Sequence, residues 1–363
     1  MSIILISILS ILLLSRLLQR KLSLPLPIGL MALTLLVYSF VPELINLSAA
    51  EQFDDILLLL LPLVLLPDAM NFKLSDLKKH GLAIFYLSFV AVVLSILAGI
   101  VLNFTTPTQY TFTIGMLICL FAMVLATDAV SVSSIFSQFE LPHSLKVLTE
   151  GESLFNDATA MIAFLFIGLP LMNGVEITAG DISFILVKVI FGSLIIGLLI
   201  GYIAKVILSL LHTVVDEFIV ILLTGYSAFV VAELHAIHVS GILALISAVM
   251  TVQYFISKDL KKFSDEEIIS DDTKPKMSSR ERYITTRARI DANKQSIAFF
   301  ALFANALLFV TLAELIEIDK LMNYSTEIFT LFAVTTLIRA LMMLKFSFIS
   351  RASQRINNIN YRW

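Results

Sequence analysis

The chain is poor in the groups that most soluble proteins use. Its 363 residues include one cysteine, Cys119, and only 15% are Asp, Glu, Lys or Arg. A single cysteine inside an apolar block excludes a disulfide framework and a thiolate metal cluster. No basic groove accompanies the net charge of −3, so nucleic acid is not an expected partner. There is no phosphate-binding glycine loop, no metal-ligand cluster and no nucleophile beside a base, so an enzyme is not expected and no cofactor is called for. Apolar and polar residues do not alternate along ten-residue segments, which excludes an outer-membrane barrel.

What is present is apolar sequence in long blocks. Hydrophobic residues make up 58% of the chain and mean hydropathy is +0.95, values of an all-α polytopic membrane protein. The first block is followed, not preceded, by Arg16, Arg20 and Lys21, so it reads as a retained helix and not as a signal peptide. Cutting at charge clusters, Pro and Gly gives eleven expected spans: 2–19, 28–46, 54–72, 81–103, 111–137, 145–170, 182–211, 216–234, 239–256, 293–316 and 326–348. Several are long or carry internal Gly or Pro, so tilt or a break is expected. Four segments follow: 1–256 with nine spans, a charged cytoplasmic loop at 257–292, 293–350 with two more spans, and a tail at 351–363.

Twenty-two of the 25 Lys and Arg fall at connections on one side of this arrangement. The opposite connections hold Glu43, Glu51, Asp54, Asp55, Glu176, Glu317 and Asp319, with Lys320 as the basic exception. Lys188 and Arg339 lie inside spans. Basic loops stay in the cytoplasm, so the N-terminus is expected outside and the C-terminus inside, as an odd number of spans requires.

Charges inside the hydrocarbon cost at least ~2.5 kcal/mol each and are therefore functional candidates. They are Asp68, Asp128, Glu150, Glu152, Asp157 and Arg339, with Glu233 near a helix end. Asp128, nine residues before the cytoplasmic end of the fifth span, and Asp157, about twelve residues into the sixth, reach similar depths at about 1.5 Å per residue. Two carboxylates meeting there outline a cation site. Ser153, one turn before Asp157, adds a hydroxyl, and Thr127 adds a hydroxyl and, if its helix unwinds, a carbonyl. Hard cations such as Na+ take such oxygens. The competing reading makes either acid neutral, hydrogen-bonded glue between helices.

Glu152 and Asn156 form a second pair one turn apart, about 100° around the same helix. Arg339 needs a buried partner, and Glu152 is the expected one. Asp68, after Pro67, suits either an interfacial helix end or the site; Glu150 suits a cytoplasmic funnel. His235 and His238 fall in a short external turn, read as structure ahead of pH sensing.

The segments LLLLPLVLLPDAMNFKLSDLKKH, ATDAVSVSSIF, EGESLFNDATA, VVAELHAIHVSGILALISAVM, ANALLFVTLAELI and TTLIRALMM, in that order, resemble the cation:proton antiporters of the sodium/proton exchanger type, electroneutral branch. The resemblance runs from about residue 50 to 345 and implies an inverted-repeat fold in which a core bundle moves against a dimerisation bundle, hence a homodimer. It implies that Asp157 carries ion and proton, that Thr127, Asp128 and Ser153 hold the cation, and that Glu152 pairs with Arg339. Asn156, counted with these ion- and proton-binding residues, stands in place of a second Asp, as in the electroneutral exchangers. The implied activity is exchange of Na+ (or Li+ or K+) for H+ across a bacterial inner membrane. The family's pattern continues with a Gly-rich broken helix and one more span, so the second repeat is expected to be incomplete. The alternative is a truncated or degenerate, non-transporting member.

Overall fold

A computed structural model of the chain describes residues 2–22, 24–41, 49–105, 112–127, 143–211, 213–269 and 279–341. Among these residues every regular element is helical. In chain order they are α1 (Ser2–Leu22), α2 (Leu26–Phe40), α3 (Ala49–Asn71), α4 (74–105), α5 (Ile114–Leu125), α6 (143–172), α7 (Ala179–Leu208), α8 (Val214–Glu233), α9 (Gly241–Ile269), α10 (Ser279–Glu314), the short α11 (Ile318–Asn323) and α12 (325–341). Six of them are long and apolar enough to cross a membrane. The protein is an all-α integral membrane protein.

Helix ends depart from the hydropathy boundaries for local reasons. α2 stops at Phe40, short of the expected 46, because Val41 precedes Pro42 and the proline ring disfavours helical backbone before it. α4 begins at Leu74 and not at 81; its first turns are amphipathic, with Asp76 at the positive end of the helix dipole. α9 runs on to Ile269 and α10 starts at Ser279, so much of the 257–292 loop is helix. Those stretches are charged but rich in Lys, Arg, Glu and Ile and free of Gly and Pro, so helix continues where hydropathy ends.

The described helices divide into two compact units. The first contains α1 to α3, α4 up to Ile84, α6 up to Leu154, and Ser183–Ile316. Its core includes Ile8, Ile11 and Leu12 of α1, Leu30 of α2 and Ala306 and Val310 of α10. α7 and α9 approach closely through the GLLIG segment: a Cβ on Gly197 would lie 2.4 Å from the Ala244 carbonyl oxygen, and one on Gly201 2.6 Å from that of Ala248. Only glycine admits backbones this close, and Ser247 Oγ uses the proximity to donate to the Leu194 carbonyl (3.1 Å).

α3 carries Pro62 and Pro67 within its helix. Each removes an intrahelical donor, which in lipid would strand carbonyls. Donors from other helices reach carbonyls elsewhere on α3: Tyr226 Oη donates to the Leu59 carbonyl (2.6 Å), three residues before Pro62, and Gln253 Nε2 donates to the Ala69 (3.2 Å) and Met70 carbonyls at the end of the helix.

The second unit holds Phe85–Thr127, Phe155–Ile182 and the described residues from Glu317 onward. Val92, Ile96, Leu117, Phe121, Ala122 and Leu125 form its core, with Phe164 and Leu331 packed against them. α4 and α6 each contain a π-helical stretch here, Tyr86–Val90 and Ala163–Gly168. Such stretches are rare and concentrate at functional sites. α5 lies against the second: a Cβ on Gly168 would sit 2.7 Å from Cys119 Sγ, and one on Gly115 2.4 Å from the Met172 nitrogen.

Lys320, the basic exception on the acidic side, donates to Glu317 (2.7 Å), which holds its ammonium above the usual lysine range. Its charge is therefore locally matched.

Candidate functional site

α5 begins with a cap, Thr113 Oγ1 accepting from Met116 N (3.3 Å), and ends after only 12 residues at Leu125. At about 1.5 Å per residue it covers about 18 Å, well short of a ~30 Å hydrocarbon core. Ala126 leaves the helix with extended backbone (φ −60°, ψ 140°), and Thr127 is also non-helical. Within the expected span 111–137 the helix therefore ends at Leu125, and Thr127, where unwinding would expose a carbonyl, is non-helical.

The interruption is held by α6. Asn156, wholly buried, donates through Nδ2 to the Leu125 carbonyl (2.8 Å) and to Thr127 Oγ1 (3.0 Å). One amide thus satisfies a carbonyl at the helix end and fixes the hydroxyl two residues on. The C-terminal end of α5 carries the negative pole of its dipole. A threonine hydroxyl oxygen and a carbonyl-rich helix end are cation-attracting chemistry.

Asp157 follows Asn156 and is half-buried. One turn earlier Ser153 is buried, and Glu152 beside it is only 7% exposed. α6 can carry these groups tightly because Gly151 has no side chain; a Cβ there would lie 2.8 Å from Ile84 Cδ1 and 2.9 Å from the Phe72 ring. Asp128 lies outside the described residues. Arg339 is half-buried on α12. Asp68 is half-buried near the end of α3, where its carbonyl accepts from Phe72 N (3.1 Å).

The remaining candidates have local partners. Glu150 lies 3.7 Å from Lys146 one turn before it. Glu233 Oε1 accepts from Gly241 N (2.8 Å) and so caps the start of α9. His235 and His238 are exposed in the turn between α8 and α9, where His238 takes a left-handed conformation (φ 50°).

Sequence reasoning brought Thr127 and Asn156 to the same site but set Asn156 beside Glu152, without its bonds to the break. Spacing along one helix shows which residues share a face, and not which carbonyl of another helix has lost its partner. The π stretches also left no signal in the hydropathy.

Comparison with known proteins adds the lineage. Residues 5–362 match the family model for the transmembrane part of the sodium/hydrogen exchangers. The Na+/H+ antiporter ApNhaP of Aphanothece halophytica is 36% identical over 131 residues, covering 36% of this chain and 24% of its own. NhaG of Bacillus atrophaeus is 28% identical over 212 residues (56% and 38%) and NhaH of Halobacillus dabanensis 28% over 207 (55% and 49%). The chain thus spans less than half the length of these relatives. With the match covering nearly every residue, the chain belongs to the sodium/hydrogen exchanger family of membrane transporters.

Proposed function

We propose that the protein exchanges Na+ (or Li+ or K+) for H+ by alternating access, with both ions competing for Asp157. The observation that best supports this reading is the pair of hydrogen bonds from Asn156 to the interrupted end of α5, next to the acid of the same helix. Irregular backbone at membrane depth is sustained only where it serves a cavity or a packed protein interior. Burial raises a carboxyl's affinity for a proton, and a bound cation lowers it, so one carboxylate holds either ligand but not both. Coupling follows without covalent chemistry.

In this reading Thr127, Asp128 and Ser153 supply the other oxygens of the cation site, and Asn156 holds Thr127 in place. Glu152 and Arg339 form a structural ion pair that ties α12 to α6. Asp68 serves the interfacial end of α3. The protein works as a homodimer in a bacterial inner membrane, N-terminus outside and C-terminus in the cytoplasm, with helices of the second unit belonging to the moving core of an inverted-repeat fold.

The test is reconstitution of the full chain in proteoliposomes with an imposed pH gradient. Added Na+ should dissipate the gradient in a concentration-dependent way. A gradient indifferent to Na+, Li+ and K+ would favour the non-transporting alternative.

A further inference from the structure

The first unit contains a cavity of about 420 Å3 that no part of the exchange reading uses. It opens at one end of the bundle, where α3 and α7 finish and α8 starts. Its walls are largely apolar, with Leu208, Ile221, Val252 and Ile256 among them. Its charged lining is Lys73, Lys205, Arg289 and Lys294 against Glu217 and Asp259, four cations to two acids. Glu217 is already engaged, by Arg289 Nε (3.2 Å) and by Asn293 Nδ2 (3.1 Å). Among the described residues Lys73, Lys205 and Lys294 form no ion pair, and Lys205 lies instead 5.5 Å over the Phe255 ring.

Three ammonium groups around one apolar-walled space repel one another, and an anion between them removes that repulsion. A free inorganic anion would satisfy the charges but leave the apolar walls wet. An amphiphile with an anionic head satisfies both. We propose that this cavity binds the phosphate head of an anionic phospholipid through Lys73, Lys205 and Lys294, with the start of its acyl region against Leu208, Ile221, Val252 and Ile256. Lys73 lies just beyond α3 and Lys205 in the last turn of α7, and the ends of membrane helices are where headgroups lie.

The experiment measures the melting temperature of the full chain in detergent with phosphatidylglycerol, phosphatidylcholine or inorganic phosphate at equal phosphate concentration. Phosphatidylglycerol should raise it, and the other two should not. Lys205→Gln alone should weaken the phosphatidylglycerol effect by about fivefold, since one lysine near a lipid surface contributes about 1 kcal/mol. The triple variant Lys73→Gln, Lys205→Gln, Lys294→Gln should lose it. Lys78→Gln with Lys79→Gln, exposed and outside the cavity, should keep it. The proposal is overturned if phosphatidylglycerol has no effect, if the Lys78/Lys79 variant loses as much as Lys205→Gln, or if inorganic phosphate alone stabilises equally.

Discussion

The two units treat broken helices differently. In the first, α3 contains two prolines yet continues as a helix, and donors from α8 and α9 take up carbonyls along it and at its end. In the second, α5 has no proline at its end, yet it stops after 12 residues, and Asn156 holds the open end and a hydroxyl together. α3 stays helical past both prolines, whereas the end of α5 is held in a non-helical conformation. Under the proposed reading, the difference teaches that irregularity serves function where side chains hold it open, and not where the helix simply continues.

The largest expected effect comes from neither helix but from the proposed ion pair. Removing one partner of a buried pair strands the other charge, at about 3 to 5 kcal/mol. Arg339→Ala should therefore lower the melting temperature in detergent more than Asp157→Asn does. The swap Glu152→Arg with Arg339→Glu should recover part of the loss if the pair is direct. A swap no better than the single variants would remove the pairing.

Next in size is Gly197→Leu, which places a side chain where a Cβ already meets the Ala244 carbonyl at 2.4 Å. Overpacking of this kind costs about 1 to 3 kcal/mol. Thermal unfolding should register it, with exchange per folded molecule unchanged, because neither α7 nor α9 carries a residue of the proposed ion site. A loss of exchange without a loss of stability would contradict that separation.

The comparison is sharpest between two donors to helix carbonyls. Tyr226→Phe removes the bond to Leu59, and Asn156→Ala the bonds to Leu125 and Thr127. Each should cost stability on the order of 1 kcal/mol per bond lost. Only Asn156→Ala should also weaken Na+ dependence, read as a higher Na+ concentration for half-maximal exchange. Equal transport by both variants would erase the distinction between the two breaks.

Much of this was legible in the sequence, for identifiable reasons. Depth along a helix is arithmetic, so spacing sets Asp128 and Asp157 at similar depths from their cytoplasmic ends, and of the two only Asp157 is among the described residues. A carbonyl ligand from Thr127 requires unwinding there, and α5 does end at Leu125, leaving Ala126 and Thr127 non-helical. Helix ends were less legible, because hydropathy reports the membrane boundary while α9 continues past it to Ile269 and α10 begins before it at Ser279. Least legible were Tyr226 and Gln253, ordinary residues whose role depends on which carbonyls of a distant helix lie within their reach.

The central claim is that one carboxylate, Asp157, carries both ions. Its direct test is Na+-driven proton movement in proteoliposomes containing Asp157→Asn, which keeps size and hydrogen bonding but deletes the titrating group. The account predicts no Na+-dependent change in internal pH from a protein that melts near the temperature of the unmodified chain. Normal pH-driven uptake of Na+ by that variant would contradict it.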